Sequence, residues 1–209
     1  MKLTRQAMLS AILVTSSALA IAQAPAPAPA AAPPARPRFT FWVTTSAFPD
    51  GGEVPMKYAM RGDNKLPAFE FHWNLGMNPA PTPPPDLVSY AIIFHDIETA
   101  NNKGIADNLH WTAWNIPATA KGLPEGLGSG DLPDGTRNGP GLASRMNKPP
   151  SYFGPGSGPG PFHHYAFEFY ALDTRIDLPA TATREELLKA MDGHVIGKAA
   201  WLGRFHAQQ

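Results

Sequence analysis

The chain has 209 residues, with 17 Lys and Arg, 17 Asp and Glu and no cysteine, so its formal net charge is zero. The absence of cysteine excludes disulfides, thiol chemistry and Cys-ligated metals. The lack of a basic excess argues against nucleic-acid binding, which depends on many phosphate contacts from Lys and Arg.

The N-terminus has the pattern of a secretory signal. Lys2 and Arg5 precede an apolar stretch from Met8 to Ile21, and Ala22-Gln23-Ala24 fits a small-x-small cleavage site. The alternative is a membrane anchor, but the stretch falls short of the roughly 20 strongly apolar residues that span a bilayer. We expect residues 1–24 to be a cleaved signal and the protein to be periplasmic or secreted, with no integral membrane segment after cleavage.

A Pro- and Ala-rich segment at residues 25–37 cannot bury a core and is expected to be an extended linker. Residues 38–209 are then one domain of ordinary size. Strand-like runs occupy 39–45, 69–73, 87–95, 110–116, 164–172 and 199–205, separated by loops rich in Gly and Pro. The one clear helix begins at Thr183, which forms a capping-box pattern with Glu186, and ends before Gly193. This order predicts a mostly β protein, a sandwich with a short C-terminal helix.

Polar side chains lie at the ends of three of these runs. Asp96 and Glu98 follow an apolar run, His110 is near the start of the next, and His163 and His164 follow the loop Gly154–Pro161. Polar groups at strand ends often line a site. The alternatives are a solvated strand end for the two acids and a buried histidine bonded to a backbone carbonyl for His110.

These segments together resemble the phosphatidylethanolamine-binding protein family, in its bacterial Raf-kinase-inhibitor-like branch. The run 96–100 (DIETA) resembles the family's Asp-Pro-Asp-x-Pro signature, 110–117 (HWTAWNIP) its His-bearing strand, and 161–165 (PFHHY) its Gly-x-His-Arg-Tyr signature. The resemblance continues through 182–205, which is similar to the family's closing helix and strand. It implies an antiparallel β-sandwich in which a large central sheet packs on a smaller one.

The resemblance also implies a ligand pocket. It places Asp96, His110 and His163 there, with Tyr165 on the same face as His163, and we add Glu98, Tyr152 and Gly154 from the neighbouring segments. His164 stands where the family usually has Arg, so Glu98 and His164 are expected to be a paired adjustment.

The expected ligand is a small anion such as phosphate, held by partly charged histidines and by N–H groups of the Gly-rich loop. Its affinity is expected to rise as the pH falls from 8 to 5.5. We expect no cofactor, no metal and no catalytic residue, and a protein partner, as for an inhibitor of another enzyme, is left unidentified.

Three alternatives stay open at the sequence level. The first is an acid/base enzyme, such as a small-metabolite hydrolase, that uses His110 and His163 with Asp96 orienting one imidazole. The second is a protease-inhibitor-like protein acting through a surface loop. The third is a metal site assembled in three dimensions from the histidines and carboxylates.

Overall fold

The structure is a computed structural model, and it describes residues 38–100 and 103–207. The predicted signal (1–24) and the Pro/Ala-rich linker (25–37) lie outside the described residues. Within the described part of the chain, no helix is both long and apolar enough to cross a bilayer.

The described residues form ten strands and two α-helices. The strands are β1 (Phe39–Thr44), β2 (Gly52–Glu53), β3 (Phe69–Leu75), β4 (Asn78–Pro79), β5 (Ser89–Asp96), β6 (Asn108–Pro117), β7 (Gly122–Leu123), β8 (Arg137–Gly139), β9 (His163–Leu172) and β10 (Val195–Phe205). The helices are α1 (Leu142–Arg145) and α2 (Arg184–Met191), with a 3₁₀ turn at Met56–Tyr58. All six predicted runs are strands, with ends that differ by a few residues.

The strands form two sheets. The larger has the order β2-β10-β9-β5-β6-β8 and is antiparallel except for the β2–β10 pair, while β1, β3, β4 and β7 form the smaller. Aromatic rings fill the space between the sheets. The ring centroids of Phe69 and Phe167 are 5.1 Å apart, and those of Phe71 and Tyr90 are 4.7 Å apart. The predicted β-sandwich is therefore confirmed.

The central strands of the large sheet are buried on both faces, which explains why the sequence of β5 shows no alternation. The face of β5 that points away from the small sheet packs against Leu187 and Met191 of α2, together with Trp114 and Ile176. Thr183 and Glu186 form the predicted capping box, with Thr183 Oγ1 accepting from the Glu186 N–H at 3.2 Å. The helix α1 was not predicted, because its four residues are too few to show a helical period in the sequence.

Candidate functional site

Three strand ends meet at one end of the large sheet. In an antiparallel sheet the last residue of β5 lies beside the first residues of β6 and β9, and Asp96 accordingly pairs with Asn108 on one side and Tyr165 on the other. Directly paired residues project from the same face. The strand pairing therefore brings together side chains that are up to 69 positions apart in the sequence.

His110 occupies a β-bulge in β6. Phe94 pairs with Trp111 while His95 pairs with Leu109, so His110 is the extra residue on its strand. A bulge turns a side chain away from the direction that regular alternation would give it, and bulges are common beside functional sites. The bulge thus contributes to aiming the imidazole at the neighbouring cavity.

A cavity of about 240 Å³ lies at these strand ends. Four of the predicted site residues line it, namely Asp96, His110, His163 and Tyr165. The other lining residues are Met60, Thr99, Asn108, Leu142, Met146, Phe153, Gly156 and Ser157. One part of the wall is consequently polar and titratable, and another part is aliphatic, aromatic or thioether.

Asp96 is an ionised, fully engaged carboxylate. Its Oδ1 accepts the N–H groups of Glu98 (3.0 Å) and Thr99 (3.2 Å), and its Oδ2 accepts from the Thr99 hydroxyl (2.9 Å) and from His163 Nδ1 (2.8 Å). Burial opposes ionisation, but these bonds outweigh it, the one from His163 foremost, and hold the pKa of Asp96 below its ordinary value. His163 Nδ1 must therefore carry the hydrogen that it donates to this carboxylate.

His110 is a neutral imidazole. Its Nδ1–H donates to the carbonyl of Phe153 at 2.8 Å, and its Nε2 lies 3.3 Å from Asn108 Nδ2. Burial lowers the pKa of His110 to about 4, because so little water reaches the ring. The expectation that this histidine carries partial positive charge near neutral pH is wrong, and its Nε2 is an acceptor.

Tyr165 adds a hydroxyl to the cavity wall. Its oxygen accepts the N–H groups of Gly156 and Ser157, each at 3.2 Å, so the hydroxyl can enter a further bond only as a donor. Burial raises the pKa of Tyr165, which keeps the phenol protonated. Three N–H groups of the Gly-rich loop are therefore used inside the protein, since the Gly154 N–H also has a partner, Asn64 Oδ1, at 2.8 Å.

The remaining three predicted residues lie outside the cavity lining. Tyr152 is buried beneath it, where its hydroxyl donates to the Tyr58 carbonyl at 2.8 Å. Gly154 has a Cβ position only 2.0 Å from that carbonyl, so only glycine fits there without movement. Glu98 pairs with the imidazole and the backbone N–H of His164, each at 2.6 Å. The expected pairing of Glu98 with His164 is thus observed.

Sequence reasoning missed Asn108 and Thr99. Asn108 is two positions before His110, a spacing that in a strand without a bulge places both on one face, so its polarity was a usable signal. Thr99 follows the end of β5, and its contact with Asp96 depends on a turn that the sequence did not reveal. Met60 and the residues of α1 reach the cavity from distant loops and carry no local signal.

One three-residue cluster has the geometry of a metal site. Single ligand atoms of Asp96, Glu98 and His163 lie within 4.8 Å of one another. Each carboxylate is, however, occupied by short hydrogen bonds within the protein, to His163 and to His164. A metal ion would have to break these bonds to bind.

A larger groove of about 700 Å³ lies on the small sheet. Its walls include Trp42, His72, Trp73 and Lys121 together with the prolines at 79, 81 and 83. His72 stacks on Trp42 with ring centroids 4.1 Å apart and bonds to Thr44 at 2.8 Å. Since no carboxylate is among its lining residues in the described part of the chain, this groove does not show the clustered acid and base groups of the cavity at Asp96.

The family model described as phosphatidylethanolamine-binding protein matches residues 44–206. The chain belongs to this family. A UPF0098 protein of Methanothermobacter thermautotrophicus is 35% identical over 164 residues, covering 78% of this chain and 97% of the relative. A second UPF0098 protein, from Pyrococcus horikoshii, is 33% identical over 168 residues, covering 77% and 74%.

Solved structures show the same fold. A phosphatidylethanolamine-binding protein homologue of Chlamydia trachomatis superposes with a TM-score of 0.66 at 26% identity, covering 81% of this chain and 99% of the other. YbcL of E. coli, a member of the mammalian PEBP family, gives 0.63 at 22% identity, with 80% and 99% covered. The sandwich and the cavity described above are therefore set in the fold of this family.

Proposed function

We propose that the protein is an exported binder of small phosphate-bearing or similar anionic ligands, and that the cavity at Asp96 is its binding site. The observation that carries the proposal is the convergence of Asp96, His110, His163 and Tyr165 on one cavity. Export is supported by the signal-like N-terminus and by a Mycobacterium tuberculosis relative, 26% identical over 168 residues, that is named as a lipoprotein.

The donors for an anion are specific groups. The Tyr165 hydroxyl and the Asn108 amide are neutral donors that persist at any physiological pH, and protonated His163 adds a charged donor at Nε2. Asp96 opposes the ligand by its charge but favours protonation of the neighbouring imidazole. The apolar wall formed by Met60, Leu142 and Phe153 suits a ligand that carries a small apolar part beside its anionic group.

The proposal fixes the pH dependence. Because His110, with a pKa of about 4, stays neutral above pH 5, His163 is the histidine of the described lining that can present a charge to the ligand. An anion binds the imidazolium better than the imidazole, so this contact favours binding at lower pH. Phosphate itself also gains a proton between pH 8 and 5.5, so the contribution of His163 is measured as the difference between the wild-type protein and His163→Ala.

Calorimetric titration of the protein with inorganic phosphate and with phosphoethanolamine tests the proposal. We expect both to bind, and we expect His163→Ala to lose about tenfold at pH 5.5 and less at pH 8. Equal affinities of His163→Ala and the wild-type protein at both pH values would refute histidine-based anion recognition. Stronger binding of phosphoethanolamine than of phosphate would identify a contact to the ammonium group.

The Asp96–His163 pair favours a second candidate function, acid/base catalysis. A carboxylate 2.8 Å from Nδ1 orients an imidazole so that Nε2 can exchange protons with a substrate. Assays of turnover on phosphate esters and carboxylic esters decide between the two functions. Measurable turnover that Asp96→Asn abolishes would establish the enzyme, and binding without turnover would establish the binder.

A further inference from the structure

Arg145, the last residue of α1, is bonded to the start of β6. Its Nη2 donates to Asn108 Oδ1 at 2.6 Å and to the Leu109 carbonyl at 2.7 Å. The helix comes this close because Gly141 precedes it: a Cβ at that position would lie 2.3 Å from the His110 carbonyl oxygen. An exposed arginine is thereby held against a residue that lines the cavity.

The two bonds determine which way the Asn108 amide faces. Since Oδ1 accepts from the guanidinium, the NH₂ group must point to the other side, where Nδ2 lies 3.3 Å from His110 Nε2. An NH₂ group can only donate, so His110 Nε2 must accept. His110 Nδ1 then keeps the hydrogen that it donates to the Phe153 carbonyl at 2.8 Å.

Burial decides the charge of His110. It lowers the pKa of the imidazole and outweighs the two neighbouring charges, which oppose each other: Asp96 on β5 raises the pKa by attraction and Arg145 on α1 lowers it by repulsion. Tyr165, whose ring lies 5.3 Å from the imidazole on β9, is neutral because its own pKa is raised. The continuous chain of bonds is therefore guanidinium, amide, imidazole and carbonyl, in one fixed direction.

We propose that Arg145 is the positioning residue of the anion site: by bonding to Asn108 Oδ1 it turns the NH₂ group of the amide towards His110 Nε2 and presents the second amide hydrogen to the ligand. This inference rests on the proposed function of the same cavity. Arg145 is a permanent cation bonded to Asn108, although it does not itself line the cavity. A neutral donor held in this way works equally at pH 6 and pH 8.

The test compares Arg145→Ala, Arg145→Lys and Asn108→Ala with the control Arg175→Ala, an exposed arginine that follows the opposite end of β9. The ¹H and ¹⁵N chemical shifts of the Asn108 side-chain amide report its orientation, and calorimetry with inorganic phosphate reports affinity. We expect Arg145→Ala to shift and broaden the amide signals and to weaken phosphate binding about three- to tenfold at pH 6 and at pH 8. Arg145→Lys should recover part of both effects, and Arg175→Ala should change neither.

The double variant Arg145→Ala/Asn108→Ala separates positioning from simple charge. If Arg145 acts through the amide, its removal costs no further affinity once Asn108 is gone. An equal loss in both backgrounds, or unchanged Asn108 amide signals in Arg145→Ala, would overturn the inference. If the wild-type protein does not bind phosphate at all, the proposed function fails, and the amide signals still decide whether Arg145 orients Asn108.

Discussion

The substitution Asp96→Asn separates the two roles of this carboxylate, as an acceptor for buried donors and as a negative charge in the cavity. The Glu98 and Thr99 N–H groups require an oxygen at the Oδ1 position, so the new NH₂ group takes the Oδ2 position. There it faces the Thr99 hydroxyl and His163 Nδ1. The hydroxyl can rotate to accept, and His163 can accept at Nδ1 by moving its hydrogen to Nε2.

Two magnitudes of opposite sign follow. All four hydrogen bonds to the carboxylate lose their ionised acceptor, while the cost of burying its charge is removed, so we expect the free energy of unfolding to fall by about 1–3 kcal/mol at pH 7. A carboxylate about 5 Å from a bound anion opposes it by about 1–3 kcal/mol for effective dielectric constants between roughly 80 and 20. Removing that charge, while Nε2 becomes a donor in the neutral ring, should tighten phosphate binding at pH 8 by about five- to a hundredfold.

Urea unfolding measures the first magnitude and phosphate calorimetry at pH 5.5 and 8 the second. The control is Asp173→Asn, because Asp173 forms an exposed carboxylate–imidazole pair with His194 at 2.7 Å, beyond the opposite end of β9. We expect the control to change stability by less than about 0.5 kcal/mol and phosphate affinity not at all. A folded Asp96→Asn protein that no longer binds phosphate at pH 8 would refute the reasoning, because it would mean that the carboxylate attracts the ligand.

Two further predictions concern stability. His110 should lower the free energy of unfolding by about 3 kcal/mol between pH 6.5 and 4, because the unfolded chain binds a proton at this histidine that the folded state, with a pKa of about 4, does not. Urea unfolding at several pH values should show this contribution in the wild-type protein and not in His110→Gln. The same dependence of unfolding free energy on pH in both proteins would contradict the prediction. Gly154→Ala should cost about 1–3 kcal/mol in the same assay because its Cβ position is 2.0 Å from the Tyr58 carbonyl oxygen, whereas Gly158→Ala, with nothing within 4 Å, should cost far less. Equal losses for the two glycines would show that close approach is not the cause.

Local patterns predicted much of the fold. The capping box at Thr183 is encoded in neighbouring residues, and the structure shows it. The aromatic-rich run at residues 164–172 is likewise the strand that was predicted, and it is buried on both faces. The strands β2, β4, β7 and β8 have only two or three residues each. They form because each pairs with the edge of a longer strand. No window of sequence could reveal these short strands, since the partner and not the segment determines them.

The same distinction applies to the site. Because adjacent residues of a strand point to opposite faces, His163 lines the cavity with Tyr165, whereas His164 pairs with Glu98. The charge state of His110 was out of reach, because it depends on burial and on a carbonyl 43 residues away in the chain. The same applies to Arg145, whose bonds to Asn108 and Leu109 cross from one element to another.

The carboxylates of Asp96, the last residue of β5, and of Glu98, just after it, differ in which histidine balances their charge. Glu98 is turned towards His164, whose imidazole and backbone N–H both bond to it, so its charge is satisfied outside the cavity. Asp96 lines the cavity with His163 as its one titratable partner among the bonded groups. His110 is neutral and Tyr165 stays protonated, so neither adds a charge to the lining near neutral pH. If the cavity binds an anion as we propose, Tyr165 and Asn108 are the donors whose contribution does not depend on pH, and the Asp96 carboxylate is the charge that the ligand must approach.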